Sequence, residues 1–340
     1  MKKKRVTQED VAKKAGVSRF TVSSVINNRT GGNVRISDKT RQHVLAIVEE
    51  LGYQPNILAR GLRTSRAMQI AIMVPDLVNP FYPLFIRSAQ RILEERGYQI
   101  LISDTHNTPE RERKFLTSML QGYGDGLISF SFYLGKEYFL SLRDSGIAVV
   151  DLGSQDNISE GEKIDTGPSL AIKEMINLLI KKGHRRIAHL SGSLSTPPGR
   201  YRFQYYRDAL EDAGIVFDES IVGYGTFRRR EVPGLMASLF NDIDSPDRPT
   251  AVFAANDIMA IEALKWLIKH GWRVPEDLAV CGFDNIPSAS IIVPSLTTID
   301  QNALELGRQA AQQIINQIEG QENGIDLISF PCKLVVREST

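Results

Sequence analysis

The strongest constraint on the fold is an alternating pattern that begins near Ile70. Short apolar runs of strand length alternate with amphipathic stretches of helix length over about 270 residues. Such alternation is typical of βαβ units, which build a mainly parallel sheet covered by helices. Because this length exceeds one ordinary domain, we expect two α/β lobes joined by several crossings of the chain. The apolar runs are residues 70–75, 99–103, 126–130, 147–152, 186–191, 251–255 and 278–283.

Composition narrows the class of protein. An apolar fraction of 42% and a charged fraction of 24% with mixed signs exclude fibrous and disordered chains. Cys281 and Cys332 are too few for a disulfide framework, which fits a reducing compartment. The basic N-terminus is followed by polar residues instead of the apolar stretch of a signal peptide, and no apolar run approaches a membrane span. We therefore expect a cytoplasmic protein with no membrane partner.

Charge is distributed unevenly along the chain. Residues 1–66 carry 14 Lys or Arg and five Asp or Glu, which gives +9, whereas the rest of the chain carries −8. A small basic region on a large acidic one predicts that the basic region binds a polyanion such as nucleic acid.

The basic region has room for three short helices. Thr7 and Ser18 can cap the first two, and Gly16 permits a tight turn between them. A third helix fits from Ser37 to Gly52, with four side chains expected to be buried. These are Val44, Leu45, Val48 and Leu51.

The second of these helices has one packed face and one free face on a helical wheel. A helix with a polar free face, held by its predecessor through a glycine turn, has the helix-turn-helix geometry that reads the major groove of DNA. The alternative is a small helical bundle whose polar face is simply solvated. The free face consists of Arg19, Phe20, Ser23, Ser24 and Asn27.

Side chains of this face suit different contacts with DNA. Arg19 can donate two hydrogen bonds to guanine O6 and N7, or it can contact a phosphate. Phe20 can touch a thymine methyl group or a sugar edge, or it can pack beneath the following loop. Thr21, Ser23 and Asn27 are short polar side chains that suit phosphate contacts.

Residues 56–69 are predicted to form a short hinge helix and a linker. Within them, Leu62 lies between Arg60 and Arg63. An apolar side chain flanked by cations is what a minor-groove wedge requires, because the leucine unstacks a base step while the arginines lie along the groove. The alternative is a linker helix that covers the core of the helical bundle.

The N-terminal motifs form a dense set, namely VT at 6–7, DVA at 10–12, AGVS at 15–18, TVS at 21–23, LGY at 51–53, PN at 55–56 and ARGL at 59–62. Together they resemble the DNA-binding head and hinge of the lactose-repressor and galactose-repressor family. The resemblance implies that Arg19, Phe20 and Ser24 read bases and that Leu62 is the hinge leucine. Ser24 stands where the family often has arginine, and residues 29–33 look inserted.

Polar side chains follow several of the predicted strands. In an open α/β sheet, ligands bind beyond the carboxyl ends of the strands. Carboxylates and amides there, with aromatic rings beside them, suit a polyhydroxylated ligand such as a sugar. Any one of the polar residues taken alone is more typical of a helix N-cap, so the prediction depends on several of them converging on one cleft. The polar residues are Asp76, Asn79, Asp104, Asp151, Asn256, Asp257, Asp284 and Asn285, and the aromatic residues are Phe81 and Tyr82.

The resemblance continues through the rest of the chain, carried by VPD at 74–76, NPFY at 79–82, GHRRIA at 183–188, AND at 255–257, VPEDL at 274–278, GFDN at 282–285 and LTT at 296–298. These motifs are similar to the family's effector-binding core, which shares its fold with periplasmic sugar-binding proteins. The resemblance implies that Arg202 holds the effector and that Phe227 stacks on it. It also implies ligand contacts from Asn256 and Asp284 in one lobe and from Asp151 and Phe81 in the other. Tyr205 stands where the family usually has glycine, which makes Arg200 an alternative to Arg202.

Motifs of catalysis are absent. The chain lacks the Walker, zinc-protease and G-x-S-x-G patterns, and its five histidines are dispersed without ligand spacing. We therefore expect no metal, no cofactor and no enzymatic activity.

The sequence thus predicts a small all-α helix-turn-helix head at residues 1–55, a hinge at 56–69, and a two-lobed α/β core at 70–340 that resembles periplasmic binding proteins and has parallel sheets. We expect a homodimeric transcriptional regulator, a repressor of a pseudo-palindromic operator on double-stranded DNA, controlled by a sugar or sugar derivative in its cleft. The alternatives are a sugar-binding transport protein, which should carry an export signal and no basic head, or an enzyme that acts on sugars.

Overall fold

The chain divides into two compact units, Met1–Ala67 and Met68–Thr340. The computed structural model describes residues 6–26, 36–54, 66–153, 168–240, 245, 247–321 and 331–340. Within these residues, no helix is both long and apolar enough to cross a membrane.

The first unit contains helices α1 (Gln8–Ala15), α2 (Arg19–Ile26) and α3 (Asp38–Glu50). Thr7 caps α1 in a reciprocal arrangement, because its Oγ1 accepts from the Asp10 amide and the Asp10 carboxylate accepts from the Thr7 amide. The helix ends at Gly16, whose φ of 64° is left-handed. The predicted caps and turn are confirmed, and so is the helix-turn-helix arrangement.

The core of this bundle is formed by residues from all three helices. Val11, Val22, Val25, Val44 and Ile47 are buried and pack together. The predicted burial of Leu45 is wrong, since its side chain is 46% exposed. Leu45 follows Val44 by one position, so its side chain points about 100° around the helix axis from that of Val44, away from the face that Val44 and Ile47 share.

The second unit alternates strands and helices as predicted. Its strands are β1 (Gln69–Val74), β2 (Gln99–Asp104), β3 (Gly126–Ser129), β4 (Ala148–Asp151), β5 (Ile187–Ser191), β6 (Val222–Tyr224), β7 (Ala251–Ala254), β8 (Ala279–Cys281), β9 (Thr298–Asp300) and β10 (Lys333–Val335). Its helices are α4 (Phe81–Glu95), α5 (Pro109–Ser118), α6 (Lys136–Asp144), α7 (Pro168–Lys181), α8 (Pro197–Asp212), α9 (Val232–Leu239), α10 (Asp257–Lys269) and α11 (Ala303–Glu319).

Two parallel sheets define two lobes. The first has strand order β2-β1-β3-β4 and the second has order β6-β5-β7-β8. All pairs within these sheets are parallel, and β1 is buried from Ile70 to Val74, as expected when helices cover both faces. All seven predicted strand runs are present, which confirms the two-lobed parallel architecture.

The chain passes between the lobes more than once. It leaves the first sheet after β4 and builds the second, and α11 then returns to pack against α4, β3 and β4. The final strand, β10, pairs antiparallel with β9 beside the second lobe. The sequence did not predict β6, β9 or β10, each of which has only three residues and lies outside the apolar runs.

Candidate functional site

The free face of α2 is the candidate DNA-reading surface of the first unit. Arg19 is exposed and Phe20 is 63% exposed, whereas the loop beneath which Phe20 could alternatively pack lies mostly outside the described residues. Thr21 and Ser23 are half-buried along the same helix. These side chains keep the placement that the sequence predicted.

Ser24 requires a correction. We expected it on the free face, but it is buried, with 6% exposure. Helix α2 contacts both α1 and α3, so its buried arc is wider than that of a helix packed on one neighbour. Ser24 is therefore not available on this surface. Asn27, Arg60, Leu62, Arg63 and the 29–33 insertion lie outside the described residues.

A cavity of about 130 Å³, called here the central cavity, lies in the second unit between residues of its two lobes. It lies at the carboxyl ends of the parallel strands, as the sequence predicted. The first lobe, including α11, contributes Asn79, Phe81, Tyr82, Phe130, Phe132, Leu152, Gly153 and Leu306. The second lobe contributes Pro198, Tyr201, Arg202, Phe227, Asn256 and Asp284. Gln301 comes from the connection into α11.

Arg202 is the main cation of this cavity. Its side chain extends from α8, and Nη1 donates a hydrogen bond to the carbonyl oxygen of Ala255, after β7, at 2.7 Å. Its guanidinium carbon lies 3.9 Å from the ring centroid of Phe283, a cation–π contact. The Nε atom is buried and has no acceptor among the described residues.

Asp284 faces Arg202 and connects the two lobes. Its Oδ1 lies 3.7 Å from Nη2 of Arg202 and accepts a hydrogen bond from Gln301 at 2.6 Å. Its Oδ2 accepts from Nδ2 of Asn79, in the first lobe, at 3.0 Å. Burial raises the pKa of this carboxyl, while the charge of Arg202 and the two amides oppose the shift. The carboxylate is therefore held by both lobes of the protein.

Aromatic rings form the walls of the central cavity. Tyr82 lies edge-to-face against both Phe81 and Phe130, with ring centroids 5.2 Å apart in each pair. Burial holds the pKa of Tyr82 well above its usual value and raises that of Tyr201. Both hydroxyl groups therefore keep their protons and can donate to a ligand.

Phe227 reaches the cavity because of a glycine opposite it. A Cβ atom at Gly192 would lie 2.0 Å from the Phe227 ring. Phe227 itself has a φ of 65°, in the left-handed region that is uncommon for a bulky residue. The ring is thus fixed in a position where it can cover the face of a ligand.

Asn256 combines the two roles that the sequence left open. Its Oδ1 accepts from the Met259 amide at 2.9 Å and caps α10. The same side chain also lines the central cavity. The cap fixes the orientation of the amide, which leaves its NH₂ group available as a donor.

Three other predicted residues do not line the central cavity. Asp257 is buried behind it, where its carboxylate accepts from the Thr298 hydroxyl and the Ile286 amide. Asp151 is half-buried and accepts from the Gly153 amide. Arg200, the alternative to Arg202, is exposed and donates to a backbone carbonyl. Asp257 thus supports the loop that follows β8 and Asp151 the turn that follows β4, so neither is retained as a direct ligand contact.

Glu112 supports the wall of the cavity from behind. This buried carboxylate of α5 accepts from the Ser131 hydroxyl at 2.6 Å and from the amides of Phe132 and Tyr133 at 3.0 and 3.2 Å. Burial raises its pKa, and these hydrogen bonds oppose the shift. The three contacts hold the loop that carries Phe132 into the cavity.

Sequence reasoning missed several lining residues. Phe130 and Phe132 follow β3, and the rule that ligands bind beyond carboxyl ends could have found them. Gln301 follows β9, which is too short to recognise as a strand. Tyr201 lies on α8, and its side-chain direction cannot be read from the sequence.

Within the described residues, no group of three or more His, Cys, Asp or Glu could hold a metal ion.

A helix-turn-helix unit on a two-lobed core with a polar, aromatic-walled cavity defines a ligand-responsive DNA-binding protein. Two family models match the chain, described as bacterial regulatory proteins of the lacI family over residues 7–56 and as a periplasmic binding protein-like domain over residues 176–340.

Known proteins match over nearly the full length. The HTH-type transcriptional regulator DegA of Bacillus subtilis is 35% identical, with 99% of this chain and 98% of that protein covered. The structure of a lac repressor dimer bound to operator and the anti-inducer ONPF matches with a TM-score of 0.82 at 25% identity, over 99% of each chain. A complex of the transcriptional regulator CelR with cellobiose matches with a TM-score of 0.69 at 32% identity, over 99% of this chain and 100% of that one.

The chain therefore belongs to the lacI family of bacterial regulatory proteins. It is a DNA-binding transcriptional regulator and not an enzyme, and it acts in the cytoplasm, as regulators of this family do. The transport-protein and enzyme alternatives are set aside.

The support that Glu112 gives to the cavity wall is testable. Glu112→Gln replaces two acceptor oxygens with one and places an NH₂ group against a backbone N–H. We expect the free energy of unfolding to fall by about 1–3 kcal/mol, measured by chemical denaturation. Glu110→Gln, at an exposed position of the same helix, is the matched control. Equal stability of the two variants would contradict this role.

Asp257 predicts a pH-dependent stability. Burial, with the charge of Asp284, raises its pKa from 3.8 to about 7. Between these values the folded protein retains a proton that the unfolded chain releases, so this group makes stability fall as pH rises.

Asp257→Asn has no titratable group at this position. Between pH 4 and pH 7 its melting temperature should lack the decline that Asp257 contributes to the wild-type profile. Asp208→Asn, at an exposed position of α8, should leave the wild-type profile unchanged. Melting curves at half-unit pH intervals measure the difference. Parallel profiles for Asp257→Asn and the wild type would refute the assignment.

Proposed function

We propose that this regulator represses transcription from a pseudo-palindromic operator and that a sugar or sugar derivative in the central cavity controls its affinity for that operator. The observation that carries the proposal is the Arg202–Asp284 pair, buried in an aromatic-walled cavity with one guanidinium donor unpaired among the described residues. Such a pair offers a donor and an acceptor to neighbouring hydroxyl groups, while the rings contact the C–H face of a sugar. The CelR relative, bound to cellobiose, supports this ligand class.

The mechanism is a two-state linkage between ligand and operator. Asn79 and Asp284 join opposite lobes, so a ligand that contacts either group affects how favourably the cleft closes. A ligand shifts the equilibrium only by its preference for one state, and coupling of about 1–3 kcal/mol is typical. The regulator acts without a cofactor, because the effector itself supplies this free energy.

Homodimerisation is part of the proposal. One helix-turn-helix unit reads a half-site, so a pseudo-palindromic operator requires two. The lac repressor structure to which this chain is similar is a dimer.

DNA reading is assigned to Arg19, Phe20, Thr21 and Ser23, with Asn27, Arg60, Leu62 and Arg63 retained as predictions from the sequence. Arg19 is the base-reading candidate because it is exposed at the start of α2. Effector binding is assigned to Phe81, Tyr82, Arg202, Phe227, Asn256 and Asp284, which all line the central cavity.

Removing the Arg19 side chain tests base reading. We expect Arg19→Ala to cost about 1–3 kcal/mol of binding at one operator position and to relax the sequence preference there. Binding to a library of operator variants measures this preference. Lys39→Ala, in the first turn of α3, should weaken binding to all sequences alike. If Arg19→Ala does the same, Arg19 is a phosphate contact.

Removing the Arg202 side chain tests the effector site. Arg202→Ala should lower sugar affinity by about 10–100-fold, because a charged hydrogen-bond donor contributes about 1.5–3 kcal/mol. Operator binding without sugar should persist. Calorimetry with sugars and operator-binding titrations provide the two measurements.

Arg200→Ala is the matched control for this test, since Arg200 lies on the same helix outside the central cavity. Arg202→Lys retains the charge and shows whether the forked guanidinium is required. Full response to the sugar in Arg202→Ala would exclude this residue from the effector site.

A further inference from the structure

The backbone turns sharply where the chain after β8 carries Asp284 into the central cavity. Asp284 has a φ of 123°, and Asn285, the next residue, has a φ of 54°. Asparagine tolerates its value, which lies in the left-handed region near about +50 to +70°. The φ of Asp284 lies outside that region, so its backbone is strained. Such strain persists only where the surroundings fix the conformation, and it is typical of functional sites.

Backbone contacts fix this turn on both sides and more weakly in its middle. The Asp284 amide donates to a carbonyl oxygen of β9 at 2.9 Å, and the Ile286 amide donates to the Asp257 carboxylate at 2.9 Å. The amide of Asn285 donates to the Thr298 hydroxyl oxygen at 3.4 Å, which is longer than the usual N–H···O distance of about 2.7–3.2 Å. The side chain of Asn285 is therefore the place where a further contact can hold the turn.

Arg337 makes that contact from the C-terminal segment. Its Nη2 donates to Oδ1 of Asn285 at 2.7 Å, and its Nη1 donates to the carbonyl oxygen of Leu296 at 2.7 Å. The Arg337 amide donates to the Thr297 hydroxyl oxygen at 2.9 Å. A planar guanidinium presents its donors in a fixed fork, which the ammonium group of lysine lacks. Arg337 thus ties the turn at Asn285 to the segment that leads into β9.

Other contacts attach the C-terminal segment to the second lobe. Oγ of Ser339 donates to the Val280 carbonyl oxygen at 2.6 Å and accepts from the Thr297 amide at 2.9 Å. The Val280 amide donates to the Ser339 carbonyl oxygen at 2.8 Å, and both Ser339 and Thr340 are buried. These bonds do not involve the Arg337 side chain. Its removal should therefore leave the segment in place.

The position of Arg337 restricts how it can affect an effector. Arg337 does not line the central cavity, so its influence has to pass through Asn285 to Asp284. The Asp284 carboxylate faces Arg202 and accepts from Asn79 across the cleft. A change of φ at position 284 would move the carboxylate away from both groups.

We propose that Arg337 is a positioning residue of the effector site, which keeps Asp284 in its strained conformation through the side chain of Asn285. This inference rests on the proposed function, in which Asp284 binds the effector. It adds a residue outside the central cavity to those that determine effector affinity. Without Arg337 the turn relaxes, and the carboxylate leaves its place between the lobes.

Crystal structures of the full-length protein and of its Arg337→Ala variant test the backbone step without any sugar. In the variant we expect φ at position 284 to become negative, because negative values are the relaxed ones for a residue other than glycine. The hydrogen bond between Asn79 and Asp284 should be lost with it. An unchanged φ and an intact hydrogen bond in the variant would overturn the proposal.

Sugar affinity tests the functional step. Calorimetry with ribose, glucose, sucrose and cellobiose identifies the sugar that binds the wild type most tightly. Arg337→Ala should bind this sugar about ten-fold more weakly, as the loss of one hydrogen bond from a charged group predicts. Lys333→Ala removes a charge from an exposed position of β10, in the same segment, and should stay within about two-fold of the wild type. Equal losses in the two variants would assign the effect to net charge and overturn the proposal.

A double-mutant cycle with Asn285 separates positioning from general stabilisation. Asn285→Gly removes the acceptor of Arg337, and glycine adopts the φ of 54° without strain. It should lower sugar affinity about ten-fold, and adding Arg337→Ala should lower it by no more than about two-fold further, because both substitutions break one contact. Losses that multiply would show that Arg337 acts independently of Asn285, against the proposal.

The outcomes separate this inference from the function on which it rests. Failure of every sugar to bind the wild type, with operator binding intact, would contradict the proposed function, and the two crystal structures would then decide the role of Arg337. Thermal unfolding of each variant shows whether it is folded. Arg337→Lys keeps the charge and the apolar stem without the fork, so it replaces Arg337→Ala in both measurements if that variant does not fold. Its φ at position 284 and its affinity should change in the same direction.

Discussion

The buried pair of Arg202 and Asp284 is the interaction on which the cavity of this regulator depends. Their side chains are only 7% and 3% exposed. Neither charge could be buried alone, because an isolated ion in the interior costs several kcal/mol. The protein satisfies the carboxylate with Asn79 and Gln301 and places the guanidinium on the Phe283 ring. The polar part of the lining is therefore organised around one electrostatic requirement, and that requirement spans the two lobes.

Two further carboxylates lie behind the cavity and support the loops that form its wall. Asp257 holds the loop of Asp284 through the Ile286 amide, and Glu112 holds the loop of Phe132. Carboxylates that accept several hydrogen bonds fix a loop more firmly than neutral groups do. The same residue type thus serves two purposes at one sheet edge, and only the direction of the side chain distinguishes them.

Much of the fold and of the candidate site could be predicted from the sequence, and the features that could not be predicted have physical reasons. Hydrophobic periodicity identified the seven main strands, because buried parallel strands form continuous apolar runs. The caps at Thr7 and Ser18 follow from local hydrogen bonding within a few residues. Burial of Ser24 depends on a second neighbouring helix, which is tertiary information. Gln301 and β10 depend on contacts between residues far apart in the chain.

The uneven distribution of charge along the chain fits a regulator whose DNA-binding and sensing units are separate. The basic head attracts the phosphate backbone, whereas the acidic core is repelled by it, so the cavity does not compete for DNA. A ligand must then act through the arrangement of the lobes. The hydrogen bond between Asn79 and Asp284 joins the two lobes at the central cavity, so a ligand bound there would act on the contact that holds the lobes together. A ligand shifts such a two-state equilibrium only when its contacts differ between the two arrangements of the lobes.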